Sequence, residues 1–161
     1  MKYKIGKIEG VEIIKLEKYA DRRGGLIETF RKDIVKENLC PVMSYVSYTK
    51  PGMSRGPHEH LHQTDIFSFI GPGKFKLKLW DNREKSKTYG NTMHVTGGDV
   101  NPITVIIPPR VIHGYKNISK KADGMVINYP DKLFKGTGKR GKVDEIRHED
   151  KDDEFYRDFI K

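Results

Sequence analysis

The sequence predicts an all-β fold, a closed barrel or a two-sheet jelly roll, from three observations. Short segments alternate apolar with polar residues, which is the period of a strand buried on one face. Glycine and proline punctuate them, as in Gly71-Pro72-Gly73, Gly97-Gly98 and Pro108-Pro109. Many evenly spaced strands in a chain of 161 residues must also limit their exposed edges, and a barrel or a stacked pair of sheets does so.

Taken in order, residues 3–16 open the chain with an alternating segment, and a short helix is expected at 33–37. Strands follow at 45–48, at 66–70 up to the Gly71-Pro72-Gly73 turn, and at 75–80. In the last of these Phe75, Leu77 and Leu79 alternate with Lys74, Lys76 and Lys78, so one face is buried and one is wet. Further strands are expected at 104–107, ending at Pro108-Pro109, at 111–115 and at 125–129. After Tyr129 the chain is loop-rich. It closes on a short C-terminal helix in which Phe155, Tyr156, Phe159 and Ile160 form an apolar stripe. The acidic Asp152-Asp153-Glu154 before it suits the positive end of a helix. With no repeat and no linker, residues 1–161 read as a single domain.

Composition narrows the classes. Apolar residues at 35% and charged residues at 33% fit a soluble domain, and no run approaches the roughly 18 apolar residues of a membrane span. Residues 1–10 lack an apolar signal core, so a cytoplasmic location is expected. The single cysteine, Cys40, forms no internal disulfide and reads as a packed thiol. A net charge of +9 raises the question of an anionic partner. The lysines are diffuse, however, and Lys135-Gly136-Thr137-Gly138-Lys139-Arg140-Gly141-Lys142 reads as a solvated loop, so no nucleic-acid or membrane partner is expected.

The chemistry centres on Arg55-Gly56-Pro57-His58-Glu59-His60-Leu61-His62. On a strand, alternate side chains share a face, so His58, His60 and His62 would point into one cavity. There they could hold a metal, or one could act as a base beside an arginine that grips an anion. The metal reading resembles the cupin pattern. Gly52, five residues, His58, His60 and Asp65 are joined by His113 in a second segment, Pro109 to His113 with Asn117. Three imidazoles and a carboxylate suit zinc, iron, manganese or nickel. Asp65 stands in place of the usual glutamate, and His62 is the histidine best read as a plain polar strand residue.

Asp21-Arg22-Arg23-Gly24-Gly25-Leu26-Ile27-Glu28 resembles the signature Asp-x-Arg-Gly-x-Phe-x-Glu of the dTDP-4-dehydrorhamnose 3,5-epimerases, which are jelly-roll cupins acting without metal. Ser47 and Thr49 then precede Gly52-Met53-Ser54-Arg55-Gly56-Pro57-His58, similar to the family's Gly-Val-Leu-Arg-Gly-Leu-His, and Gln63 follows. Trp80-Asp81-Asn82-Arg83 and Pro108-Pro109-Arg110-Val111-Ile112-His113-Gly114-Tyr115 resemble the next two motifs. Tyr129-Pro130 stands where the family has its catalytic tyrosine, and the likeness runs from Asp21 to Asp150.

The resemblance implies a cupin-type jelly roll that epimerises a nucleotide-linked 4-keto-6-deoxy sugar for polysaccharide synthesis, with no cofactor and as a homodimer. Protons next to a ketone are removable because the enolate is stabilised. His58 would be the base and Tyr129 the acid on the other face. Arg23, Glu28 and Arg55 would bind the nucleotide diphosphate and neighbouring groups, with Ser47 and Gln63 in the substrate-binding set and His113 donating near the ketone. Two departures bear on this. The family's lysine is replaced by Asp65, which requires that carboxylate to be protonated, paired, metal-bound or part of a different reaction. The family's later aspartate, which orients the base, has only Asp150 as a weak counterpart. A single-centre epimerase is therefore one alternative. Others are a sugar-nucleotide 3,4-ketoisomerase, whose Arg-Gly-x-His-x-His matches residues 55–60, a metal-dependent cupin using His58, His60, Asp65 and His113, and a non-catalytic sugar-binding cupin.

Overall fold

The computed structural model describes residues 3–151 and residue 159. It is a two-sheet jelly roll whose sheets are open, so stacking rather than barrel closure manages most of the edges. The strands are β1 (Lys4–Ile5), β2 (Glu12–Lys15), β3 (Lys18–Asp21), β4 (Gly24–Ile27), β5 (Tyr45–Thr49), β6 (Ser54–Glu59), β7 (Asp65–Phe69), β8 (Lys74–Asp81), β9 (Asn91–Gly98), β10 (Ile103–Ile107), β11 (Val111–Asn117), β12 (Gly124–Asn128) and β13 (Ile146–Arg147). One sheet runs β1-β9-β8-β11-β6-β13 and the facing sheet β2-β10-β7-β12-β5, while β3 and β4 form a separate hairpin.

The alternation read in β8 holds. Phe75, Leu77 and Leu79 enter the core between the sheets, where they meet Phe67, Phe69, Ile103, Val105, Val111, Tyr115 and Val126. Each fully buried aromatic or aliphatic side chain there contributes about 1.5–3 kcal/mol by leaving water. Gly97 and Gly98, expected as a turn, instead end β9. A Cβ on Gly97 would stand 2.7 Å from Ile103 and 2.9 Å from Phe69, so the glycine permits close approach of the sheets.

The helix expected at 33–37 is a run of turns instead. Its segment straps the outer face of the second sheet, packing Phe30, Val35 and Leu39 on Ile66 and Ile106. Docking on that face, rather than local propensity, sets its backbone. Thr29 contributes a carbonyl that accepts from Ser68 and Thr104. Cys40 is exposed, not packed. The expected C-terminal helix lies mostly outside the described residues. Phe159 is helical and buried, with its ring 5.6 Å from that of Trp80.

Candidate active site

The inward rows turn polar around one opening. On β7 the inward side chains are Asp65, Phe67 and Phe69; on β11, Val111, His113 and Tyr115; on β12, Val126 and Asn128; on β5, Tyr45 and Ser47. Registers Val126↔Ser47 and Asn128↔Tyr45 keep the last two rows aligned. Across the other sheet, His113 pairs directly with His58, which brings their rings to 4.5 Å. A cavity of about 860 Å³ opens there, lined by Tyr45, Ser47, Arg55, His58, His60 and Gln63, among others. That size suits a ligand larger than a single sugar.

Asp65 is the hub. It is fully buried, and Oδ1 accepts from Gln63 Nε2 at 2.9 Å and Asn128 Nδ2 at 2.7 Å. Oδ2 stands 3.1 Å from His60 Nε2 and 3.2 Å from His113 Nε2. Burial opposes ionisation, but the contacts with His113 and His60 outweigh it and hold the carboxyl well below the usual range. Burial likewise lowers His60, yet Asp65 and the Asp144 backbone raise it to about 9. His58 goes the other way. Burial first, then its neighbour His113, push it well below its ordinary 6.5, leaving a neutral imidazole.

The loop between β12 and β13 completes the cavity. Its Lys132, Lys135, Lys139 and Lys142, with Arg147 of β13, line the cavity, so the segment 135–142 read as solvated borders the site while remaining exposed. Asp144 accepts the backbone N–H groups of Leu61, His62 and Gln63 at 2.8, 2.9 and 3.1 Å. Its backbone carbonyl accepts from His60 Nδ1. Glu145 stands 3.8 Å from His58 Nδ1.

The sequence-derived candidates divide accordingly. His58, His60, Asp65, His113, Gln63, Ser47 and Arg55 come together. The Ser47 hydroxyl shares a 2.8 Å hydrogen bond with Tyr115, and Arg55 donates to Thr49 and to the Tyr48 carbonyl. Tyr129 does not join them. One residue beyond inward Asn128, it turns to the outer face, bonds Thr29 Oγ1 at 2.5 Å and packs against Phe30. His62 leaves β6 and is exposed, because residues 61–63 bend around Asp144. Arg23 sits on the β3–β4 hairpin with its guanidinium on Asp21, and Glu28 pairs with Arg31; both lie outside the cavity lining. Asp150 is exposed and also outside it.

Sequence reasoning missed Asn128, Tyr45, Asp144, Glu145 and the lysine loop. Asn128 was readable by counting two from buried Val126. Asp144 and Glu145 had no comparable signal, since an irregular loop delivers them to histidines more than 80 residues earlier.

A family profile described as dTDP-4-dehydrorhamnose 3,5-epimerase matches residues 6–137. A probable low-salt glycan biosynthesis epimerase, Agl13, of Haloferax volcanii is 38% identical over 128 residues, covering 79% of this chain and 81% of its own. The spore coat polysaccharide biosynthesis protein SpsL of Bacillus subtilis is 39% identical over 111 residues, covering 68% and 71%. A dTDP sugar isomerase from Desulfovibrio desulfuricans superposes with a TM-score of 0.75 at 25% identity, over 87% of this chain and 84% of that one. With its jelly-roll fold, polar cavity and these matches, the chain belongs to the dTDP-4-dehydrorhamnose 3,5-epimerase family and is an enzyme of the isomerase class.

Proposed function

We propose that this chain epimerises a nucleotide-linked 4-keto-6-deoxy sugar, inverting a carbon next to the ketone, in the synthesis of a glycan. The observation that carries the reading is a neutral imidazole, His58, held on a strand against a cavity bordered by Arg55 and four lysines. The cations suit a diphosphate, and the imidazole suits proton abstraction.

His58 takes the proton from the carbon beside the ketone, and the electron pair moves into the enolate. Glu145, 3.8 Å from His58 Nδ1, rather than Asp150, is the carboxylate placed to orient the base. The acid expected of Tyr129 falls to Tyr45. Its hydroxyl faces the cavity from the opposite sheet and accepts from Asn128 Nδ2 at 2.9 Å. Burial, then the charge of Asp65, push its phenol up to about 12, so it keeps its proton for delivery to the opposite face of the enolate.

The chain is further proposed to act as a homodimer. The hairpin bearing Arg23 exposes Tyr19 and Leu26, and β5 exposes Val46 and Tyr48, which is apolar surface suited to a second copy. In the dimer, Arg23 and Glu28 serve the cavity of the other chain.

The test is deuterium exchange. With a 4-keto-6-deoxy sugar nucleotide in deuterated water, the native protein incorporates deuterium beside the ketone. His58→Ala is expected to abolish it, and exchange that survives refutes His58 as base. Tyr45→Phe keeps exchange on the His58 face but loses inversion.

A further inference from the structure

We propose that His60, Asp65 and His113 form a binding site for one divalent transition-metal ion at the floor of the cavity, with His58 beside it. The ligand atoms of these four side chains lie within 4.8 Å of one another. Asp65 Oδ2 is the meeting point, 3.1 Å from one Nε2 and 3.2 Å from the other.

The other ring nitrogens determine what those Nε2 atoms offer. His60 Nδ1 faces the Asp144 carbonyl, and His113 Nδ1 faces the Val111 carbonyl at 2.9 Å. A carbonyl only accepts, so each Nδ1 carries a hydrogen, and a ring that gives up its second proton presents its Nε2 lone pair to the carboxylate. Two imidazole nitrogens and an anionic oxygen aimed at one point call for positive charge among them, either a proton on His60 or a divalent ion that takes its place.

The hydrogen bonding leaves that point free. Among the described residues, Asp65 Oδ2 and His113 Nε2 are buried side-chain atoms without a hydrogen-bond partner, whereas Oδ1 is engaged by the Gln63 and Asn128 amides. One carboxylate oxygen is thus held by amides while the other points at two imidazoles. An imidazole whose Nδ1–H is fixed by a carbonyl is also the arrangement that orients metal-binding histidines. Two imidazoles with one carboxylate select ions of the zinc, manganese and iron(II) kind over calcium and magnesium, which take all-oxygen shells.

The catalytic meaning of the site rests on the proposed epimerisation. There, the ion would supply the positive charge beside the enolate that the substitution of lysine by Asp65 removes. His58 stays free as the base.

Metal binding can be read without any sugar. Chelator-treated protein is titrated with Co²⁺ alone, followed by visible absorption and thermal unfolding. A single ion per chain is expected to bind, with ligand-field bands of an imidazole–carboxylate site and a raised melting temperature. Asp65→Asn and His60→Gln, each checked for native circular dichroism, are expected to weaken binding by roughly 100-fold or more and to lose the thermal shift. Absence of saturable Co²⁺ binding by the native protein overturns the site, as does native-like binding by either folded variant. Should Asp65→Asn fail to fold, the partly exposed His60→Gln decides. Because no substrate is present, this result stands apart from the exchange experiment. Lost metal binding with retained exchange rejects the ion alone, and the converse rejects only the base.

Discussion

At the scale of single residues, strand parity separates chemistry from packing. His58 and His113 face each other across β6 and β11, and Asp65 enters from the opposite sheet on the same inward row as Phe67. His58 and His60 were legible because spacing two on a strand means a shared face, whereas Asp65 and His113 were legible through the resemblance to the cupin pattern. Tyr129 was misplaced because a sequence motif was carried to it against the parity of its own strand. Its hydroxyl bonds Thr29 under the outer strap, so Tyr129→Phe is expected to leave turnover unchanged and to cost about 1 kcal/mol of stability. Urea unfolding alongside a kinetic assay checks both, and a collapse of turnover would return Tyr129 to the mechanism.

Among the elements, β8 shows how one strand carries two kinds of order. Its apolar half was readable from alternation, whereas its end is set by a polar knot. Buried Asp81 accepts from Arg83 Nε at 2.7 Å, Ser86 Oγ at 2.7 Å and Thr88 Oγ1 at 2.6 Å, and thereby fixes the turn into β9. Burial opposes its charge, but these bonds prevail and lower it from 3.8 to about 2. A depressed carboxyl stabilises the fold fully above its unfolded value, and the contribution disappears as pH falls through the folded one. Stability is therefore expected to fall by on the order of 2 kcal/mol from this group between pH near 5 and pH near 1. Asp81→Asn should flatten that part of a pH–denaturation series. The strand β9 was missed for a different reason. Its glycines serve sheet contact rather than a turn, and only the packed partner, Ile103, reveals this. The strap at 33–37 was misread because docking on Ile66 and Ile106 overrides its helical pattern.

For the whole molecule, the two stacked sheets were legible because strand count and punctuation leave few architectures, but the completed cavity was not. Its border comes from a loop whose sequence carries no period. The hairpin with Arg23 poses the same problem on the other side, since its predicted partner is a second chain. Light scattering is expected to give twice the chain mass, and Leu26→Arg to lower it to one copy and to raise KM; a monomeric native protein refutes the arrangement. The carboxylate of Asp144, which gathers three successive amides from residues 61–63, also orders events in time. During synthesis every cavity histidine leaves the ribosome long before Asp144 does. A nascent chain thus owns its reactive groups for tens of residues before the clasp that sets their geometry exists, and competence arrives only once Asp144 has emerged.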